Sequence, residues 1–273
     1  MWRRAHWFQF AVAWLGALLV VPCVAIAAEA VTADAVTNVE PAGVAAPWRE
    51  IALGATVTPS SWALYSSATI APLGGLDADG VRLRLGSGYG KYRYDTLPPA
   101  RGDCRYGFGD GRTKVINGRV TFADILAGYQ LGFGNTTIKA FAGLAMDEQE
   151  LTPLDICNRN SGRDLGFKAV VETWTNLTPA IWLALDGSWT QAHEAYSARA
   201  RLGYRVLPAL SIGIEEAVLG NISGDLTRSG LFARYDWSGG EVALSAGVSG
   251  EHFDFKDTSK DRTWAALSVM LRY

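Results

Sequence analysis

The chain has 273 residues, with 25 Lys plus Arg against 27 Asp plus Glu, and 49% of its residues are hydrophobic. That apolar content supports a folded core and excludes intrinsic disorder. A formal charge of −2 gives no electrostatic reason to bind nucleic acid or anionic lipid headgroups.

Arg3 and Arg4 precede an uncharged stretch, residues 8 to 28, that is rich in Ala, Val and Leu, broken by Pro22 and closed by Ala25, Ile26 and Ala27. This reads as a cleaved secretory signal over residues 1–27. The stretch is also long enough to be a retained membrane anchor, but Pro22 and the small residues favour cleavage. Cys23 follows Pro22, where lipid attachment needs a small flexible residue, so a lipoprotein is not expected. Removing the signal takes away Arg3 and Arg4 and leaves a charge of 23 − 27 = −4. It also leaves Cys104 and Cys157, for which an exported chain predicts one disulfide over two free thiols. Residues 28–48 have no period and read as a flexible arm, so the folded unit is expected over 49–273.

From there the dominant pattern is alternation with period two, which marks strands with one apolar and one polar face. Two strands are expected near 49 to 57 and 61 to 70. Val81, Leu83 and Leu85 then alternate with Arg82, Arg84 and Gly86; Ala123 to Leu131 alternate with Asp124, Gly128 and Gln130; Ile138 to Leu144 alternate with Lys139, Phe141 and Gly143. Further strands carry Phe167 to Thr173 against Lys168 and Glu172, Ile181 to Trp189 against Trp182 and Asp186, and Tyr196 to Tyr204 against Arg199, Arg201 and Arg205. Leu210 to Ile214 with Glu215, Leu231 to Tyr235 with Arg234 and Asp236, Val242 to Val248, and Ala265 to Tyr273 complete a count of about twelve.

Tight turns near 132–135, 176–179, 207–209 and 238–241 alternate with longer polar segments at 95–115, 147–163, 220–228 and 250–261. That rhythm predicts an all-β, antiparallel up-and-down transmembrane β-barrel. A soluble sandwich or lipocalin-like barrel would reverse the two faces. The polar face, however, is Gly, Ser and Arg with matching Asp and Glu and few Lys, which suits a confined lumen better than a solvated surface. Tyr92, Tyr94, Tyr129, Trp189, Tyr196, Tyr204, Tyr235, Trp237 and Tyr273 at strand ends are expected in the interfacial girdles. The terminal strand ending on Tyr273 resembles the signal read by the barrel-assembly machinery.

Site chemistry is sparse. His6, His193 and His252 do not cluster, and Cys104 and Cys157 lack zinc-site spacing, so neither a metal nor a cofactor is expected. The one sequence-local catalytic candidate is His193 with Ser188 and Glu194, and a surface-loop histidine is more often inert; the chain is not expected to be an enzyme. The strongest constellation is the inward charged face: Arg82, Arg84, Arg199, Arg201, Arg205, Arg234 and Arg272, with Asp124, Glu172, Asp186, Glu215 and Asp236. These residues, with Trp174 and Trp182, either brace the interior or line a conduit that stacks on a passing saccharide. The bracing reading is preferred, because an inward arginine cannot shed its charge and must meet carboxylate or water whatever the function.

Gly88-Tyr89-Gly90-Lys91-Tyr92-Arg93-Tyr94, Ala123-Asp124 with Gly128-Tyr129-Gln130, Lys139-Ala140-Phe141-Ala142-Gly143, and Leu202-Gly203-Tyr204-Arg205-Val206-Leu207-Pro208 running on to Gly220-Asn221 together resemble the cellulose-biosynthesis protein BcsS family. The resemblance spans nearly all of the expected barrel, and the order and spacing of the segments carry it. It implies an outer-membrane protein of Gram-negative alphaproteobacteria tied to cellulose synthesis or export, with outer-membrane lipid, cellulose and its synthase or export complex as expected partners. It supplies no catalytic motif, and the segments around Cys104 and Cys157 depart from the family pattern. The expected function is a conduit or envelope scaffold for exopolysaccharide; the alternatives are a barrel enzyme acting on lipid or glycan, a small-solute porin, and a soluble periplasmic β-domain.

Overall fold

In chain order the strands are β1 (Arg49–Val57), β2 (Ser61–Ile70), β3 (Gly80–Thr96), β4 (Lys114–Phe133), β5 (Thr136–Thr152), β6 (Gly162–Asn176), β7 (Ile181–Thr190), β8 (Tyr196–Leu207), β9 (Leu210–Asn221), β10 (Gly224–Trp237), β11 (Gly240–Gly250) and β12 (Thr263–Arg272). The computed structural model describes residues 46–96, 113–250 and 263–273. The expected signal, most of the arm, Cys104 and His252 lie outside the described residues. Each strand pairs antiparallel with its chain neighbours, and β1 pairs with β12 to close a transmembrane barrel. A single 3₁₀ turn, Ala192–Glu194, interrupts the all-β pattern among the described residues.

The alternation works as a sorting device. Leu85, Ile125, Leu144 and Leu231 point outward and are 58%, 60%, 54% and 67% exposed, whereas inward Arg84 and Glu172 are 3% and 4% exposed. A face this apolar belongs in hydrocarbon, where the closed ladder leaves no unpaired backbone edge.

The turns near 134–135, 177–180, 208–209 and 238–239 are short, as expected. The segment 220–228, expected as a long loop, is instead a tight hairpin in which Asn221 pairs with Gly224 around Ile222 and Ser223. Its polar composition belongs to two strand ends, and that places Arg228 inside, 2% exposed. The strands flanking the expected loops at 95–115 and 147–163 also run further than periodicity indicated. As a result β3, β4, β5 and β6 hold 17, 20, 17 and 15 residues, against 9, 10 and 10 in β1, β2 and β7. A transmembrane strand needs about ten, so one side of the barrel is a wall standing clear of the bilayer at the loop end.

Tyr92 and Tyr94 correct the girdle expectation. Both are 3% exposed and pack inside this wall against Ile116 and Val120. They share the parity of Arg82 and Arg84, so the pleat turns them inward. Tyr129, Trp189, Tyr204, Tyr235, Trp237 and Tyr273 do face outward. Tyr196 is half-buried, and its hydroxyl donates to Asp225 Oδ1.

Inward aromatic rings repeatedly lie across a glycine directly opposite on the next strand. Tyr65 faces Gly54, Phe122 faces Gly88, Tyr92 faces Gly118, Phe141 faces Gly128, Trp182 faces Gly203 and Phe232 faces Gly213. A narrow barrel crowds its inner face, and the missing Cβ leaves room for the ring. A Cβ on Gly203 would stand 2.2 Å from Trp182 Cε2. The indole cannot retreat, since Trp174 stacks on it at 4.1 Å and Phe232 packs at 5.3 Å. Gly203→Ala should therefore cost about 1–3 kcal/mol by overpacking, read as a lower urea midpoint for loss of the folded gel band.

Candidate functional site

The barrel interior is the candidate site, and side chains fill it. At the turn end, the β2–β3 connection, residues 71–79, folds across the mouth and buries Leu76. The Arg82 guanidinium donates to the carbonyls of Gly75 and Leu76 at 3.1 Å each, and also to that of Ala78. Gln130 Nε2 donates to Leu76 O at 2.9 Å, and Asp79 Oδ1 accepts from the Gly132 N–H at 2.7 Å. The chain entering β1 joins this cap: Leu76 N donates to Pro47 O at 2.7 Å and Ala71 N to Trp48 O at 2.9 Å. The end of the expected arm is thus tied down at Pro47 and Trp48.

Above the cap lies an arginine-aromatic layer. Arg234 reaches Asp236 and Glu241, both at 2.7 Å, and its guanidinium sits 4.8 Å from the Trp174 ring centre and 5.4 Å from that of Trp182. Trp182 Nε1 donates to Ser211 Oγ at 3.2 Å. Trp182 is 1% exposed; both indoles are spent on each other, on Arg234 and on Phe232. Neither presents a free face to a sugar ring.

The next layer crosses the lumen. Arg84 on β3 forms a two-pronged ion pair with Glu172 on β6, its second prong 3.1 Å long, over a chord that skips β4 and β5. Its Nε donates to Thr69 Oγ1 at 3.1 Å, and the guanidinium stacks 3.9 Å from the Phe141 ring centre. Lys168 and Asp124 pair at 2.7 Å, and Arg199 pairs with Asp186 at 3.0 Å on the neighbouring strand. Arg201 stands directly opposite Glu215, which accepts from Ser245 Oγ at 3.2 Å.

At the loop end, Tyr92 donates to Gln149 at 2.8 Å, and Tyr94 donates to Asp155 Oδ2 at 2.8 Å while accepting from Asn158 Nδ2 at 2.9 Å. The 153–161 loop is thereby drawn over the wall's inner face. Cys157 in that loop is disulfide-bonded; Cys104, its expected partner, lies outside the described residues. His193 is buried rather than loosely exposed: Nε2 lies 3.3 Å from Asp147 Oδ1, and its backbone N–H donates to Asp164 at 2.9 Å. Ser188 bonds instead to Ser197 at 2.9 Å. No Ser–His contact links the residues of the catalytic candidate.

The sequence-predicted lumen residues therefore share one face but do different work. Arg84, Asp124, Glu172, Trp174, Trp182, Asp186, Arg199, Arg201, Glu215 and Arg234 brace the interior. Arg82 holds the cap. Arg205 ends at the rim, donating to Pro179 O at 3.0 Å and to Asn176 Oδ1 at 2.6 Å. Arg272 ties the closing seam to Glu50 at 3.3 Å and approaches Asp77 of the cap at 3.8 Å. Gln130, Lys139 and Lys168, placed on the polar face by alternation but not counted among the lumen residues, are buried there, as are Glu50, Arg228 and Glu241, which the sequence did not single out; strand parity counted from Arg234 would have found Arg228.

The fold resembles solved outer-membrane barrels at low identity. The KdgM porin shares 12% identity and a TM-score of 0.42, covering 82% of this chain and 99% of that one. The transport unit of the autotransporter AIDA-I from Escherichia coli shares 9% and 0.48, covering 91% and 95%. The translocator domain of NalP from Neisseria meningitidis shares 11% and 0.42, covering 83% and 88%. No curated protein sequence matches the chain. The family model described as cellulose biosynthesis protein BcsS matches residues 53–271, nearly the whole barrel from β1 to β12, and the chain belongs to that family.

Proposed function

We propose that this protein is a non-enzymatic outer-membrane scaffold for cellulose production, closed in its resting form. In this reading the chain is exported by a cleaved signal, inserted by the barrel-assembly machinery, and set in the outer membrane of a Gram-negative bacterium with its short turns in the periplasm. The observation that carries the closed state is the buried Arg84–Glu172 bridge across the lumen. A water-filled channel would leave those groups accessible. The loop end then faces the cell surface, where the synthase or export complex, or the polymer itself, would meet the wall of β3–β6.

Planar bilayers test the reading. Folded wild-type protein should give flat current traces at either polarity. Steady currents that fall on adding cello-oligosaccharides would replace the scaffold with a conduit, and steady currents indifferent to them would favour a general porin.

A further inference from the structure

The outward face of β3 runs Val81, Leu83, Leu85, Ser87, Tyr89, Lys91, Arg93, Asp95. From Val81 to Tyr89 it is lipid-compatible over about the length that crosses a bilayer, and it then turns cationic. The neighbouring outward faces also change character near this height: from Thr121 to Arg119 on β4, in the same rows as β3, and one row nearer the bilayer on β5 and β6, from Met146 to Glu148 and from Leu165 to Arg163. Trp62, directly opposite Lys91, packs against Tyr89 with ring centres 5.7 Å apart, an aromatic pair suited to the headgroup level.

Charges along this boundary are not evenly matched. Arg163 pairs with Glu148 at 2.9 Å and Arg119 with Glu150 at 3.0 Å. Lys91 and Arg93 have no acidic partner among the described residues. Lys91 stands directly opposite Arg119, a like-charge pairing that Glu150, bonded to Arg119 from its far side, only partly offsets. Arg93 stands opposite Asn117, and Asp95 lies one pleat further out. We infer that Lys91, Arg93 and Arg119 form a binding site for the phosphate groups of outer-leaflet lipid. Lys91 and Arg93 supply the two unmatched charges, Arg119 adds the donors that its pair with Glu150 leaves over, and arginine offers a phosphate a planar fork. The inference rests on the outer-membrane placement proposed above.

Native mass spectrometry of the folded full chain in detergent tests it, with bisphosphorylated lipid A, dephosphorylated lipid A and inorganic phosphate as probes. The K91Q/R93Q variant keeps the Arg119–Glu150 pair. It should lose binding of the bisphosphorylated lipid by at least about tenfold, while R163Q, which breaks an already paired charge, should leave it unchanged. A heat-shifted gel band confirms that each variant is folded, and the single changes K91Q and R93Q give the same reading if the double variant does not fold. Equal binding by wild type and K91Q/R93Q, or equal binding of the dephosphorylated lipid, would overturn the inference. Competition by equimolar inorganic phosphate would overturn the lipid as the source. Recovery of the cellular protein outside the outer-membrane fraction would overturn the placement instead, and envelope fractionation reads that separately from affinity.

Discussion

Glu172→Ala should cost about 3–5 kcal/mol of folding stability, because it strands Arg84 as an uncompensated charge in a filled interior. Thr69 Oγ1 and the Phe141 ring remain beside the guanidinium, but neither supplies negative charge. The reciprocal Arg84→Ala should be damaging but less so, since buried Lys139 stands directly opposite Glu172 on β5 and keeps a cation beside it. Replacing both partners, as in Arg84→Met with Glu172→Leu, should recover most of the loss or exceed wild type by about 1–4 kcal/mol, because two desolvated charges are removed together. Urea midpoints of the heat-shifted gel band, compared across the two single variants and the double, measure this. If the single variants unfold at the wild-type midpoint, the bridge does not brace the barrel, and the closed-scaffold reading loses the observation that carries it.

Arg82→Ala should free the 71–79 cap. Arg82 is 1% exposed and spends its guanidinium on backbone carbonyls of the cap, not on carboxylates. A hydrogen bond from a charged donor contributes about 1.5–3 kcal/mol. When opening is fast relative to cleavage, proteolysis follows the open population, so losing even one such bond should raise the cutting rate by about tenfold or more. Limited proteolysis of detergent-solubilised protein, with cleavage sites mapped by mass spectrometry, should show cuts within 72–79 in the variant and resistance in wild type. Gln130 still holds Leu76 O, so adding Gln130→Ala should increase the rate again. Cleavage of wild type and variant at equal rates would mean that Arg82 does not hold the mouth shut.

Strand number, the first pair at 49–57 and 61–70, and the sorting of faces were legible in the sequence, because membrane and lumen impose opposite demands on alternate residues. Arg84, Glu172 and Arg234 could be placed inside by parity alone. What parity could not say is which charge meets which: Arg84 reaches β6 across the lumen, and no sequence spacing encodes a chord. The cap at 71–79 was equally hidden. It has no period, and its order comes from Arg82 and Gln130 on the strands behind it. Two misreadings had a signal that composition outweighed. Tyr92 and Tyr94 lie on the even, inward register of β3, while Tyr89, on the odd register, is the girdle residue. The segment 220–228 is rich in turn-forming residues, but only Ile222 and Ser223 are needed to turn. The glycines of the inner face are not mere spacers, since several are the seats of aromatic rings on the next strand.

The seam between β1 and β12 sets the order of assembly. Glu50 pairs with Arg272 and Val57 with Ala265, so closure joins the start of the folded chain to its last strand. Every other ladder links chain neighbours and can zip locally, but this one must wait for all eleven preceding strands. Closing such a long loop is entropically costly and slow. Until the seam forms, β1 is an open edge ready to pair with any strand it meets. Loss of β12 would make that state permanent, leaving β1 and β11 each with one unpaired edge and removing Tyr273, whose carbonyl accepts the backbone N–H groups of Trp48 and Arg49 at 3.1 and 3.0 Å.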